Sequence, residues 1–171
     1  MIKVGFKKLA DDAILPARAH YSDSGFDLFA NENVTIEPGE TVVIKTGIAI
    51  NLPYGYEAQV RPRSGVTSKT KLRVQLGTID NSYTGEIGVI VDNTNDFPPD
   101  VSFRFLGNTF NINGTVIDNL FCKNEHGTYL VKKGDKLSQL VIQKLPQVHA
   151  YEIEKLPDTE RGSNGFGSSG Y

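Results

Sequence analysis

The sequence predicts an all-β protein whose strands form a distorted jelly roll or β-barrel. Its 17 glycines and 8 prolines are scattered and divide the 171 residues into short stretches. Most of these stretches alternate apolar and polar residues or are rich in β-branched residues, as strands are. No long segment has the 3.6-residue period of an amphipathic helix, and no internal repeat is visible. Many short strands separated by turns favour a barrel or jelly roll.

Five strands and one short helix are predicted in order along the chain. The strands are Ile2–Leu9, Thr41–Leu52, Tyr56–Pro62, Glu86–Asp92 and Leu137–Leu145. Turn-forming residues separate them at Pro38-Gly39, Pro53-Tyr54-Gly55 and Gly134-Asp135. The helix is a single short turn at Ser64–Lys69.

Two regions interrupt this pattern of short strands. Residues 95–128 are rich in Asn and Phe, and Asn113-Gly114 within them is a strong signal for a two-residue hairpin turn. The second region, Arg161–Tyr171, is rich in Gly and Ser and has little apolar bulk for packing. We expect this tail to move in the free protein.

Composition excludes several function classes. The length suits one domain. A net charge of −2 provides no overall basic field for nucleic acid. One cysteine, Cys122, cannot form an internal disulfide, and the three histidines show no zinc-ligand spacing. No signal peptide or membrane span is predicted, so we expect a soluble intracellular protein.

An aspartate in an apolar strand and a basic loop are the first candidate site features. Asp27 lies among apolar residues and is either an ordinary strand-edge carboxylate or a group that faces a hydrated magnesium ion. Arg61–Lys69 follows a strand and begins the helical turn, where N–H groups, a hydroxyl and guanidinium groups can converge on phosphate. The glycine spacing of a Walker A loop is absent, and a solvated basic loop is the alternative.

A second aspartate and the tail are the remaining candidates. Asp80 lies in Leu76–Glu86, where Gly77 and Gly85 are expected to hold it near a hairpin turn. It is either a turn residue or a general base that orients water for attack on phosphorus. The tail combines Arg161 and Phe166 with glycines, which suits a lid over a charged, aromatic ligand. A solubilising tail is the alternative.

Taken together and in this order, the segments resemble the five motifs of the trimeric dUTPase family. The similar stretches are Ser24–Ala30, Arg61–Gly65, Gly77–Glu86, Gly134–Ile142 and Arg161–Gly170. Five motifs in order over nearly the whole chain are far more specific than any one of them.

The resemblance implies a homotrimer of jelly-roll subunits that hydrolyses dUTP to dUMP and pyrophosphate with Mg²⁺. Water would attack the α-phosphorus in line, in sites at subunit interfaces that each receive a tail from a neighbour. It also implies a barrel domain over residues 1–158, with an inserted hairpin lobe at about 95–128 and a flexible arm at 159–171. The expected location is the cytoplasm, that of the host if a phage encodes the chain. No direct binding to nucleic acid or membranes is expected.

The resemblance assigns roles around the base and sugar. Asp80 would be the catalytic base that activates water. Tyr83 would pack on the deoxyribose and exclude a 2′-hydroxyl, while backbone groups of the hairpin near Gly77 and Ile79 would read the uracil edge.

Further roles concern the phosphates. Ser64 would donate to a phosphate oxygen, supported by Arg63 and Gly65, and Gln139 would bind another. Asp27 would orient waters of the magnesium ion. In the tail, phosphate and base contacts are implied for Arg161, Phe166, Gly167, Ser168 and Ser169.

This chain departs from the family pattern in places. Ser24, Thr84, Asn164 and Ser169 stand where Ala, Arg, Gly and Thr are common. An Asn that often contributes to uracil recognition has no clear counterpart near Val74-Gln75.

The extra segment at 95–128 resembles that of the dUTPases of staphylococcal phages. The resemblance implies binding to a repressor protein and relief of repression, because members of that group do this. A repressor-type protein partner is therefore a second hypothesis. All five motifs lie outside the segment, so we expect its replacement by a short turn to leave hydrolysis intact. Two alternatives remain open: a dCTP deaminase of the same fold, and a regulatory binding protein with incidental dUTPase activity.

Overall fold

The computed structural model describes residues 2–96, 108–118 and 127–164, which form a nearly all-β structure around one apolar core. It has twelve described strands and one described helix. They are β1 Gly5–Lys8, β2 Gly25–Phe29, β3 Val34–Ile36, β4 Thr41–Asn51, β5 Tyr56–Pro62, α1 Ser64–Lys69, β6 Leu72–Val74, β7 Gly77–Ile79, β8 Glu86–Asn93, β9 Thr109–Asn111, β10 Val116–Asp118, β11 Tyr129–Val131 and β12 Lys136–Lys144.

The all-β prediction is confirmed, although the described strands form open sheets rather than a closed barrel. There are three four-stranded sheets, with the orders β1-β4-β8-β6, β10-β9-β11-β3 and β2-β12-β5-β7. Every pairing between described strands is antiparallel except that of β9 with β11, which is parallel.

Alternating apolar residues place one face of a strand against the core. In β8, Ile87, Val89 and Val91 are buried while the residues between them are more exposed. Longer β4 begins with alternation and ends as a continuous buried run. Its register shifts at Gly47, which has φ +68 and where a Cβ would lie 2.7 Å from the Ala13 Cβ. Only glycine fits this bulge, because both the backbone angle and the space exclude a side chain.

The five predicted strands and the predicted helix are confirmed to within a few residues at their ends. Positive φ angles at Gly39, Gly55 and Gly134 agree with the predicted turns. A turn at Asn113-Gly114 joins antiparallel β9 and β10 as predicted, but four residues rather than two separate the strands. Four three-residue strands were not predicted, because so short a run carries no measurable period: β3, β6, β7 and β11.

One predicted element is wrong. The stretch Gly77–Glu86 is not a hairpin, because β7 pairs with β5 whereas β8 pairs with β4 and β6. The chain crosses here from one sheet to another. Ile79 and Ile87, which flank the crossing, are both buried, so each strand is held by the core rather than by the other strand.

Part of the expected hairpin lobe at about 95–128 packs on the rest of the fold. Ile112 is buried in the core, and Thr109 is also buried. The Phe110 ring packs against Tyr129, with centroids 5.6 Å apart. Buried Asn93 donates through Nδ2 to the carbonyls of Ile36 and Gly127. These bonds connect the end of β8 to the residues that precede β11. Residues 97–107 and 119–126 lie outside the described residues.

Candidate active site

A polar cleft of about 460 Å³ lies at the junction of β2, β12 and the loop that leads into α1. Strand pairing creates it: Gln139 of β12 lies opposite Asp27 of β2 on one side and Arg61 of β5 on the other. We call it the cationic cleft after Arg63 and the neighbouring Lys136, although two carboxylates also line it. The lining residues are Ala19, Asp23, Ser24, Gly25, Asp27, Arg63, Ser64 and Gln139.

Two cations hold the carboxylate of Asp27 in this cleft. Arg63 Nε lies 3.0 Å from Asp27 Oδ1, and Lys136 Nζ lies 2.9 Å from Asp27 Oδ2. Arg63 Nη1 also donates to the backbone carbonyl of Lys136 at 3.0 Å, which closes a ring of three residues. The Asp27 side chain is only 14% exposed, so these pairs are less screened than surface pairs. The ring fixes Arg63 before any ligand arrives.

Gln139 is held beside this ring. Its Nε2 donates to the carbonyl of Pro62 at 3.0 Å. A Cβ on Gly25 would lie 2.6 Å from Gln139 Oε1, so only glycine leaves room for the amide at this point. Because an amide nitrogen carries two hydrogens, one N–H of Gln139 remains for a ligand in the cleft.

A second cleft, of about 260 Å³, lies at the crossing from β7 to β8, and we call it the Asp80 cleft. Tyr83 N donates to Asp80 O at 3.0 Å, and Tyr83 Oη donates to Glu86 O at 2.9 Å, which fixes the turn. A Cβ on Gly85 would lie 2.5 Å from Tyr83 Oη, so the ring occupies the space that a side chain at position 85 would need. Its lining combines apolar and polar groups: Val60, Gly77, Thr78, Ile79, Asp80, Tyr83, Glu86, Ile87, Gly88 and Ile90.

The Asp80 cleft presents both a free carboxylate and a strand edge. Asp80 is exposed, and no hydrogen bond or ion pair from the described residues reaches its carboxylate. Strand β7 is the last strand of its sheet and pairs only with β5 in the described part of the chain. The outer edge of an edge strand presents unpaired N–H and C=O groups that can read a planar ligand by hydrogen bonding.

Strand β5 separates the two clefts. Ile79, next to Asp80, lies opposite Ala58, whereas Arg63 and Ser64 of the cationic cleft follow Pro62 at the other end of the strand. The stretch from Ala58 to Pro62 spans about 13 Å at roughly 3.3 Å per residue. A general base must lie within one hydrogen bond, or one water, of the group on which it acts. A single chain therefore does not bring Asp80 and Ser64 to one phosphate.

The donor set suits a cation carried by a ligand rather than one bound directly by protein. Among residues 2–96, 108–118 and 127–164, no three His, Cys, Asp or Glu side chains are grouped to hold a metal ion. Both oxygens of Asp27 are already ion-paired. A divalent ion that keeps its waters can still be contacted by this carboxylate through them, and that is the usual behaviour of Mg²⁺.

The predicted site residues fall into three places. Asp27, Arg63, Ser64 and Gln139 line the cationic cleft, and Gly77, Ile79, Asp80 and Tyr83 line the Asp80 cleft. Gly65 is exposed in the first turn of α1 and does not line the cationic cleft. Arg161 is exposed, and its Nε donates within the tail to Asn164 O at 3.0 Å. The predicted residues 166–169 lie outside the described residues.

Sequence reasoning did not identify Lys136 or the roles of Gly25 and Gly85. Lys136 belongs to a segment that had been recognised, but the ion pair depends on the pairing of β2 with β12. Gln75 lies near the position where the family pattern often has an Asn that contributes to uracil recognition. Its Nε2 contacts the Asp92 carboxylate, and Gln75 does not line the Asp80 cleft.

Comparison with protein-family models gives a match over residues 11–99 and 113–170, and the matching model is that of dUTPase. The chain belongs to the dUTPase family. This membership accounts for the two clefts together, since the motifs that line them lie in the matched residues. Residues 100–112 are not matched.

Individual members of the dUTPase family are similar over nearly the full chain. The deoxyuridine 5′-triphosphate nucleotidohydrolase of Clostridioides difficile is 39% identical over 175 residues, which cover all of both chains. Staphylococcus bacteriophage 80alpha dUTPase, solved with dUpNHpp, superposes with a TM-score of 0.85 at 36% identity and 99% coverage of each chain. The dUTPase of phage phi11 of S. aureus, in which a species-specific insert was visualised, has a TM-score of 0.83 at 34% identity and covers 92% of this chain and 99% of its own.

No helix in the described residues is long and apolar enough to span a membrane.

Proposed function

We propose that this chain is a dUTP diphosphatase that hydrolyses dUTP to dUMP and pyrophosphate as a homotrimer with Mg²⁺. The observation that carries the proposal is the pair of complementary clefts at the two ends of β5. One offers a free carboxylate beside an aromatic ring and a strand edge, and the other offers cationic and hydrogen-bonding groups. Binding of a nucleoside triphosphate needs both kinds of surface. The nucleotidohydrolases that share this fold are named for such a substrate, deoxyuridine 5′-triphosphate.

The Asp80 cleft suits the nucleoside and the attacking water. The free edge of β7 near Gly77 and Ile79 offers backbone groups to the uracil edge, and the Tyr83 ring packs on the deoxyribose. The Asp80 carboxylate takes a proton from water as the water oxygen bonds to the α-phosphorus. The bond from the α-phosphorus to the bridging oxygen then breaks, and pyrophosphate leaves.

The cationic cleft suits the phosphates. The Ser64 hydroxyl and the remaining N–H of Gln139 donate to phosphate oxygens, and Arg63 supplies a charge that its ring with Asp27 and Lys136 has already oriented. Gly65, beside Ser64, keeps the approach to the first turn of α1 open. Magnesium held by the phosphates would neutralise their charge and polarise the α-phosphorus, and Asp27 would contact its waters. A phi11 dUTPase mutant with 35% identity is described as coordinating a structural Mg(II) ion.

Assembly follows from the separation of the clefts. Because one chain holds Asp80 and Ser64 at opposite ends of β5, a complete site takes one cleft from each of two subunits. The extended segment after β12 supports assembly, since it exposes large apolar side chains that a partner would cover. These side chains are Leu145, Val148, Tyr151, Ile153 and Leu156.

The tail completes the proposed site. Among the described residues Arg161 donates only within the tail, and in the proposed site it would lie over a neighbouring subunit. Guanidinium recognition of a terminal phosphate by Arg161, with Ser168 and Ser169 donating beside it, fits the chemistry of those groups. Phe166 would stack on the base, and Gly167 would let the chain turn over it. Residues 1–158 would then be the catalytic domain and 159–171 the arm.

A nucleotide panel tests the reaction. With Mg²⁺ present, we expect pyrophosphate and dUMP from dUTP, and neither product from dCTP. Ammonia release from dCTP would instead identify a deaminase. Absence of turnover on every nucleotide, with binding retained, would identify a regulatory binding protein.

Subunit complementation tests the shared site. Asp80→Asn and Gln139→Ala subunits should each be inactive alone, and refolding them together should restore part of the activity. Recovery requires a site that takes Asp80 from one chain and Gln139 from another. If mixed trimers form and stay inactive, both clefts of one chain serve the same site, and the proposed assembly is wrong.

A second candidate function is binding of a repressor-type protein through residues 95–128. The structure of the 80alpha dUTPase is described as evidence that phage dUTPases control transfer of virulence genes by a G protein-like mechanism. Among the described strands of this chain, β10 lies at the edge of its sheet, with Val116 37% exposed and Ile117 40% exposed. An exposed apolar edge suits strand addition by a protein partner. Ile117→Asp should abolish capture of such a repressor while dUTP turnover is kept; unchanged capture would exclude this edge.

A further inference from the structure

The β9–β10 hairpin lies directly against the end of helix α1. Gly114, in the hairpin turn, has φ +75, and a Cβ at this position would lie 2.3 Å from the carbonyl oxygen of Lys69. Lys69 is the last residue of α1. The turn and the end of the helix thus meet backbone to backbone, with no flexible side chain between them.

The second residue after this helix end, Lys71, is held by the same part of the fold. Lys71 N donates to Tyr129 Oη at 2.9 Å, and Lys71 O accepts from Thr94 N at 3.0 Å and from Thr94 Oγ1 at 2.8 Å. Tyr129 in turn packs on Phe110 of β9. The exit from α1 is therefore clamped by β11, β9 and the residue that follows β8.

The helix is too short to absorb a displacement at its end. Its six residues span about 9 Å at roughly 1.5 Å per residue. Thr67 N donates to Arg63 O, and Thr70 N donates to Val66 O, each at 3.1 Å. Val66 is buried in the core. A shift at Lys69 is therefore transmitted through fewer than two helical turns to Arg63 and Ser64 in the cationic cleft.

We propose that the β9–β10 hairpin is a strut that positions α1, so that Gly114 and Tyr129 are positioning residues for the phosphate side of the site. The proposal rests on the proposed dUTP hydrolysis for its catalytic meaning. It replaces the expectation that exchanging residues 95–128 for a short turn leaves dUTP hydrolysis intact. The hairpin within that segment supports the helix on which the phosphate-binding groups are placed.

A matched pair of glycine substitutions tests the strut. Gly55 has φ +79, and a Cβ at this position would have no atom within 4 Å, whereas Gly114 has nearly the same φ and meets Lys69 O. Gly55→Ala and Gly114→Ala therefore share the cost of a positive φ, and only Gly114→Ala adds the clash. The difference between the two variants isolates the contact with α1.

Two measurements read out the displacement. We expect Gly114→Ala to weaken binding of a non-hydrolysable dUTP analogue about 5-fold or more relative to Gly55→Ala, the lower end of ordinary coupling between sites. KM should rise more than kcat falls, because Asp80 lies at the other end of β5. Amide hydrogen exchange of residues 63–71 in the nucleotide-free protein should also be faster in Gly114→Ala than in Gly55→Ala. Equal affinity and equal exchange in the two variants would overturn the proposal.

Tyr129→Phe provides a second variant if Gly114→Ala does not fold. It removes only the acceptor of the Lys71 N–H and should speed exchange of residues 63–71 and weaken analogue binding relative to wild type. Unchanged exchange and binding would overturn the strut. If wild-type protein binds no dUTP analogue, the proposed function fails, but the exchange comparison between the glycine variants still decides whether the hairpin supports α1.

Discussion

The two clefts along β5 differ in whether their charged side chains find partners within one chain. In the cationic cleft, Asp27, Arg63 and Lys136 are paired with one another, and Gln139 is held by a backbone carbonyl. In the Asp80 cleft, the carboxylate is exposed and has no partner among the described residues. The first cleft is ordered before its ligand arrives, whereas the second presents a base that a ligand and a second subunit must surround. The charged groups of the phosphate side are therefore preorganised within one chain, whereas the carboxylate of Asp80 is not.

The largest effect is expected from Asp80→Asn. The amide keeps the size of the side chain but cannot take a proton from water, so kcat should fall by about 10²- to 10⁴-fold. Binding of the dUTP analogue should change little, because phosphate binding belongs to the other cleft. Pyrophosphate release and analogue titration measure the two quantities, with Asp12→Asn, outside both clefts, as control. Retention of more than a few per cent of activity would exclude Asp80 as the base.

Removal of residues 161–171 tests whether a third chain segment completes the site. We expect turnover to fall by about 10²-fold, the scale seen when one preorganised donor is lost from a site. The described part of the tail is exposed and contributes nothing to the core, so melting temperature and oligomer size should not change. Unfolding or dissociation of the shortened protein would show that the tail is structural.

Tyr83→Ala tests sugar selection in the Asp80 cleft. The ring is fixed by Gly85 and by its hydrogen bond to Glu86 O, so it forms a rigid wall. Burying an unpaired 2′-hydroxyl against that wall costs about 1–3 kcal/mol, so the preference for dUTP over UTP should fall by roughly 5- to 150-fold. Tyr83→Phe keeps the ring and should keep the preference, measured as a ratio of kcat/KM values. Equal discrimination in Tyr83→Ala would place the selector elsewhere.

Lys136→Met should have the smallest effect. It removes one of the two cations on Asp27, but the lysine is 45% exposed, and solvent screening limits such a pair to about 0.2–1 kcal/mol. We expect KM for dUTP to rise by up to about 5-fold and the Mg²⁺ dependence of analogue binding to shift. Lys133→Met, which removes the surface partner of Asp12, is the matched control. An effect as large in the control would show that the ring is not what positions Arg63.

The sequence predicted the elements better than their arrangement. Tyr56–Pro62 and Ser64–Lys69 were predicted with their observed bounds, since each is delimited by turn residues and a clear local pattern. The expected hairpin at Gly77–Glu86 was wrong, because the two strands that flank it belong to different sheets. The placement of Lys136 against Asp27 was not foreseen, because it depends on a pairing between residues more than a hundred positions apart.

What the sequence determined by itself is the β-rich class, the order of the motifs and the residue types that the chemistry needs. Periodicity, turn propensity and side-chain chemistry are local, and each can be read within a window of a few residues. Only the tertiary structure decided which side chains meet. The register of β12 between β2 and β5 closes the ring around Asp27. The length of β5 separates Asp80 from Ser64, and the packing of Gly114 on Lys69 joins the β9–β10 hairpin to the site. These are long-range contacts between backbones, and the residues of one strand do not specify which strand pairs with it.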